Sequence, residues 1–151
     1  VKNRPQIDTV SSDEFPALTA LWERSVRATH HFLPESYINA LRPLLLNDFL
    51  PQVQLRCTRN SLGEPTGFIG LSDDKVEMLF IDDTCRGLGL GRALMDYAVK
   101  EVGIRLVDVN EQNPDALAFY QRYGFSVKDR SELDGMGKPY PLLHLALDVD
   151  K

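Results

Sequence analysis

The most restrictive feature of this chain is a strand that runs straight into a glycine-rich turn and then a helix. Residues 76–82 read as a strand, and Arg86-Gly87-Leu88-Gly89-Leu90-Gly91 follows. Leu90, Leu94, Tyr97, Ala98 and Val102 then share one helical face, predicting a helix over residues 89–102 that Gly103 ends. A helix that starts there aims unbonded main-chain N–H groups and the positive end of its dipole at the turn. Such a place binds phosphate. Glycines at 87, 89 and 91 let the chain approach a pyrophosphate without side-chain obstruction, while Arg86 and Arg92 can add charge-assisted hydrogen bonds. A flexible glycine turn with no ligand is the alternative reading of the same letters.

Two common nucleotide loops fail on this segment. A Walker A loop ends in Gly-Lys-Ser/Thr, whereas Gly91 is followed by Arg92-Ala93. A dinucleotide fingerprint built on Gly87 and Gly89 needs glycine at 92, and one built on Gly89 and Gly91 needs glycine or alanine at 94; the residues are Arg92 and Leu94.

The rest of the chain supplies a mixed set of elements. Residues 5–10 are a candidate first strand. Ser11 and Glu14 have capping-box spacing, and Phe15, Leu18, Leu21, Trp22 and Val26 recur at helical intervals, predicting a helix to about Ala28. Pro34 opens a second helix in which Pro43 predicts a break or kink. Residues 53–59 and 66–71 form a predicted hairpin around Asn60-Ser61-Leu62-Gly63-Glu64, and residues 76–82 add a third strand. After the glycine turn and its helix come a short strand (104–109), a helix capped by Asn113 and started by Pro114 that Gly124 stops, and two strands over 125–128 and 142–147. Such an order predicts a mixed α/β sheet, mostly antiparallel and flanked by helices, in one domain over 1–151.

Two segments then acquire a family. Arg86-x-x-Gly89-x-Gly91, after a strand and opening a helix, resembles the Q/R-x-x-G-x-G/A motif of the GCN5-related N-acetyltransferase (GNAT) superfamily, and Asn113-x-x-Ala116-x-x-Phe119-Tyr120-x-x-x-Gly124-Phe125 resembles that family's next motif. The resemblance implies a GNAT-like acyl-CoA N-acyltransferase fold that moves the acetyl group of acetyl-CoA onto a primary amine by direct attack in a ternary complex. A non-catalytic acyl-CoA-binding sensor is the alternative that the same cradle allows. By resemblance, Arg86, Gly87, Leu88, Gly89, Leu90, Gly91, Arg92 and Ala93 hold the pyrophosphate, and the main chain of Leu79, Phe80 and Ile81 meets the pantetheine arm. Tyr120 stands beside the sulfur as proton donor. Asn113 is open to capping its helix, touching the pantetheine, or both. The family's catalytic glutamate falls near Glu77, with Lys75 nearer its exact position. Trp22, Thr29 and His30 lie where the family builds its acceptor wall, together with Ser25 and the Gly137-Lys138-Pro139-Tyr140 loop. His144, on a predicted strand, is open to a place in the core or facing the cleft.

Composition narrows the partners. A net charge of −5 argues against a broad nucleic-acid surface. Cys57 and Cys85 form neither a disulfide framework nor a zinc pattern, and no apolar run suggests a membrane span or a signal peptide. The expectation is a cytoplasmic monomer or homodimer without metal, acting on a small-molecule or peptide amine.

Overall fold

The computed structural model describes residues 5–148. A short strand β1 (Asp8–Thr9) leads into a 3₁₀ turn over Ser12–Glu14 and helix α1 (Phe15–Thr29). The Glu14 carboxylate accepts the Ser11 N–H at 3.2 Å, as the capping-box spacing predicts. Pro16 sits in the first turn of α1, where the missing N–H costs nothing. Helix α2 (Glu35–Leu44) follows, and α-helical bonding gives way to a π turn at Leu45–Phe49, just after Pro43. Proline cannot donate to the ladder, so the predicted break takes the form of a change in pitch.

Strands β2 (Gln54–Arg59), β3 (Pro65–Ser72) and β4 (Lys75–Ile81) form an antiparallel meander. Helix α3 (Leu90–Asp96) continues as a π turn over Tyr97–Val102, which Gly103 ends at φ +91°. Then come β5 (Leu106–Asn110), α4 (Pro114–Tyr123), β6 (Phe125–Ser131) and β7 (Leu142–Leu147). The first strand is shorter than predicted, and β6 runs three residues further because it pairs with β7 as far as Ser131↔Leu142.

The seven strands lie in the order β1-β2-β3-β4-β5-β7-β6. Every neighbouring pair is antiparallel except β4 and β5, which are parallel and paired only at Lys75↔Leu106 and Val76↔Val107. Beyond Val76 the two strands part. Two cores hold the sheet, one on each face. One joins α1 and α2 to Leu55, Cys57 and Phe68; the other joins α3 and α4 to Ile69, Val107, Val109, Leu143 and Leu145. Phe68 and Ile69 are fully buried neighbours on opposite faces, as the two-residue period of a strand requires.

Phe68 anchors the α1/α2 side and stacks at a tilt on Phe80, 5.8 Å away. Phe68→Ala is expected to lower unfolding free energy by about 3–5 kcal/mol through lost burial and a residual cavity. A urea titration in which the midpoint falls with an unchanged slope checks this.

Candidate active site

The glycine segment folds as its composition requires. Asp82 follows β4, pairs with Arg24 of α1 at 2.7 Å and accepts the Thr84 N–H. These contacts give it a structural role in the turn. Gly87 and Gly89 both take φ +79°, a left-handed conformation that side chains with a Cβ rarely adopt, and Gly89 caps α3. Gly91 differs. A Cβ there would lie 3.4 Å from the Phe119 ring, in van der Waals contact at the α3–α4 seam.

These elements enclose a cleft of about 510 Å³. It brings together Leu79, Phe80 and Ile81 of β4, Arg86, Gly87, Gly89, Leu90, Gly91 and Arg92 of the turn and α3, Asn113 and Tyr120 of α4's segment, and Thr29 and His30 of α1's end. Leu88 is 66% exposed and Ala93 lines a separate depression, so neither side chain borders the cleft. Leu79, Phe80 and Ile81 are half-buried, because the parting of β4 from β5 opens the sheet beside them. Asn113 caps α4 through its side-chain oxygen, which accepts the Ala116 N–H at 3.2 Å, and it also borders the cleft. Ser25 and Arg122 line it as well. Sequence reasoning passed over Arg122, although Asp115, Phe119 and Arg122 share helical spacing and all border this space.

Chemically, the donors fit a pyrophosphate. The first turn of α3 offers main-chain N–H groups over a glycine floor, and Arg86, Arg92 and Arg122 add positive charge at the rim. Arg92 also lies over the Tyr123 ring at 5.2 Å, while the Tyr123 hydroxyl donates to Asp96 at 2.6 Å. Tyr123 is thus committed to packing α4 on α3.

A second hollow, of about 320 Å³, lies where β4 and β5 part. Tyr120, His30, Leu79, Phe80 and Asn113 border both spaces, and Glu77 and Asp108 border only the hollow. Tyr120 is 6% exposed, held edge-on by Phe119 and Phe125 at 5.2 and 5.9 Å. Burial raises its pKa above the ordinary phenol value, so the hydroxyl keeps its proton at neutral pH. Glu77 is the extra residue of a β-bulge in β4, since Gly70 pairs with Met78 and Leu71 with Val76. It is exposed and accepts the Ser72 hydroxyl. Trp22 is 5% exposed and faces a neighbouring groove, shared with Glu77 and Phe80, away from Thr29 and His30. Tyr140 stacks on Tyr37 at 5.2 Å and approaches Phe32 at 5.9 Å, docking the 132–141 loop on the α1–α2 connection.

His30 has a defined tautomer. The Thr29 hydroxyl donates to the Ser25 carbonyl at 2.8 Å, so the His30 Nδ1, 2.8 Å from the same hydroxyl oxygen, must itself donate. Nε2 therefore carries the lone pair. Burial, reinforced by the neighbouring His31, lowers the His30 pKa to about 4, leaving the ring neutral at physiological pH.

Comparison with known proteins places this geometry. Residues 55–127 match the model of the acetyltransferase (GNAT) domain. The chain is 45% identical over 134 residues to the peptidyl-lysine N-acetyltransferase YjaB of Escherichia coli (strain K12), covering 89% of this chain and 90% of that protein. The chain belongs to the GNAT acetyltransferase family. It is accordingly an N-acetyltransferase, an enzyme that moves an acetyl group onto an amine. The solution structure of apo-form YjaB from Escherichia coli superposes with a TM-score of 0.86 at 41% identity, over 95% of this chain and 97% of that one. The GNAT fold is also shared with the PaiA N-acetyltransferase of Thermoplasma acidophilum, solved in complex with coenzyme A, at a TM-score of 0.69 and 20% identity over 94% of this chain and 98% of that one. In this GNAT chain no described helix is long and apolar enough to cross a membrane.

The depressed His30 pKa has a consequence for stability. A folded pKa of about 4 against an ordinary 6.5 means that the proton favours the unfolded chain. Its contribution is intact above pH 6.5 and is lost as pH falls toward 4. The wild-type melting temperature is expected to drop more steeply over that window than that of His30→Gln, measured in parallel thermal melts.

Proposed function

We propose that the chain transfers the acetyl group of acetyl-CoA to the side-chain amine of a lysine in a peptide or protein, by direct attack, in the cytoplasm. The observation that carries this reading is the buried, protonated Tyr120 phenol between the glycine-floored cleft and the hollow where β4 leaves β5. Support for the acceptor comes from relatives: YjaB, and at 27% identity YiaC of Escherichia coli, are both called peptidyl-lysine N-acetyltransferases. Cysteines 57 and 85 are both free, in keeping with a reducing compartment.

In this reading the α3 N-terminus, Arg86, Arg92 and Arg122 take the pyrophosphate, and the main chain of β4 aligns the pantetheine arm across the gap. The amine enters from the Glu77 side. Glu77 receives it as a cation and takes its proton, and the neutral His30 accepts one of the remaining N–H bonds at Nε2. The amine nitrogen then attacks the thioester carbonyl and gives its second proton to His30 Nε2, the carbon–sulfur bond breaks, and Tyr120 protonates the departing thiolate and regains its proton from solvent as His30 loses its own.

Tyr120→Phe is expected to lower kcat by about 100-fold, the lower range for loss of a general acid, while acetyl-CoA affinity measured by calorimetry stays near wild type. Unchanged turnover would remove Tyr120 as the acid. Gly89→Val acts on the other half of the site, because φ +79° costs a β-branched residue about 1–2 kcal/mol and its side chain crowds the phosphate cradle. Loss of acetyl-CoA binding in the folded variant is the expected outcome, and undiminished binding would sink the cradle assignment.

A further inference from the structure

Four polar side chains from four adjacent strands form one hydrogen-bonded line beside the cleft. Val107, Val109, Leu143 and Leu145 face the buried core under α3 and α4, so the alternating Asp108 and His144 lie on the opposite face. There they pair directly across β5 and β7. Ser131 reaches the same face because β6 carries a bulge. Val127 pairs with Leu145 but Asp129 pairs with His144, so Lys128 is the extra residue that reverses the facing of every later β6 side chain and brings Asp129 and Ser131 to the His144 side. Without it, Ser131 would point to the helices.

The bonds have one consistent direction. The Lys75 ammonium, which can only donate, lies 3.0 Å from Asp108 Oδ2 and keeps that carboxylate an acceptor. Asp108 Oδ1 is 2.7 Å from His144 Nδ1, so Nδ1 carries a proton, and in the neutral ring Nε2 holds the lone pair. Nε2 is 2.6 Å from Ser131 Oγ, which must therefore donate its own proton. Burial does not force this pairing. The His144 and Asp108 side chains are 31% and 24% exposed and water could satisfy them. The result is a serine bonded to a base that a carboxylate orients, the order of groups that activates serine in triad acyl transfer.

We propose that Ser131, His144 and Asp108 form a second acyl-transfer centre, in which Ser131 accepts acyl groups from activated carboxylic esters. The Ser131 oxygen attacks the ester carbonyl and forms an Oγ–C bond, and its proton passes to His144 Nε2. The bond to the leaving phenolate breaks, and His144 returns the proton to that phenolate. Water then attacks the acyl-serine, giving a proton to Nε2 as its oxygen bonds to carbon. The C–Oγ bond breaks and the proton returns to Ser131. Ser131 and His144 are half-buried on the sheet face toward the edge strand β6, and the substrates proposed are small esters whose leaving groups depart readily. This centre does not depend on the acetyl-CoA reading of the cleft.

The test treats the full chain with a fluorophosphonate probe and, separately, with p-nitrophenyl acetate. Peptide mass spectrometry is expected to find the phosphonyl group on Ser131 and to lose it in Ser131→Ala, with acetyl transfer to a lysine peptide and the melting temperature of that variant unchanged. His144→Gln, which keeps an amide in place of the base, is expected to slow both labelling and nitrophenolate release by about 100-fold. If that variant does not fold, Asp108→Asn reads the same dependence through the orientation of His144. An unlabelled Ser131 in the folded wild-type protein overturns the proposal. So does labelling at the wild-type rate in the folded His144 or Asp108 variant, which would mark Ser131 as merely accessible.

Discussion

The parting of β4 from β5 is the constraint on which the rest of this protein depends. Parallel neighbours held by two residue pairs, Lys75↔Leu106 and Val76↔Val107, leave the main chain of Leu79, Phe80 and Ile81 beside a gap in the sheet. An antiparallel partner along the whole strand would close that gap. The sheet is held from both faces. Phe68 and Leu55 pack under α1 and α2 on one face, while Val107, Leu143 and Leu145 pack under α3 and α4 on the other. The Arg24–Asp82 pair then ties α1 to the end of β4, where the chain turns into the glycine loop.

Around this opening, local rules and long-range packing divide the work. The α3 N-terminus presents its donors because Gly87 and Gly89 take left-handed conformations, a local matter. What Gly91 faces is decided by long-range packing, since the Phe119 ring, 28 positions away, lies against it at the α3–α4 contact. Tyr120 gains its raised pKa in the same way, since the burial that keeps its proton comes from α4 docking on the sheet beside Phe125. The neutral state of His30 likewise reflects enclosure at the end of α1, and its tautomer reflects one hydroxyl whose proton is already given to Ser25.

Much of this was legible in advance, and the exceptions share a cause. The element order, the Asn113 cap and the glycine turn follow from residues close in sequence, and the family motifs span residues 86–91 and 113–125, where spacing is read directly. The main chain of Leu88 and Ala93 belongs to the turn and to α3, but contiguous letters do not say which side chains turn outward; that of Leu88 does, at 66% exposure. Trp22 and His30 are eight residues apart and flank different spaces, because α1 rotates one toward the groove and its end carries the other into the cleft. Arg122 was missed for the opposite reason. A cation on an exposed-looking helix position has no signature until the helix is docked.

From sequence alone came the kind of fold, the glycine turn that opens α3 and the helix that carries Tyr120, because each rests on backbone geometry or on spacing within one or two elements. Only the tertiary structure decided how far β4 and β5 stay paired, which residues share a cavity, and which protons are held. It also decided that a one-residue bulge at Lys128 brings Ser131 to His144 and Asp108. Register across strands is set by the packing of both sheet faces at once, and a shift of one residue reverses every side chain beyond it. That information lies in the pairing of distant segments, not in the letters of either one.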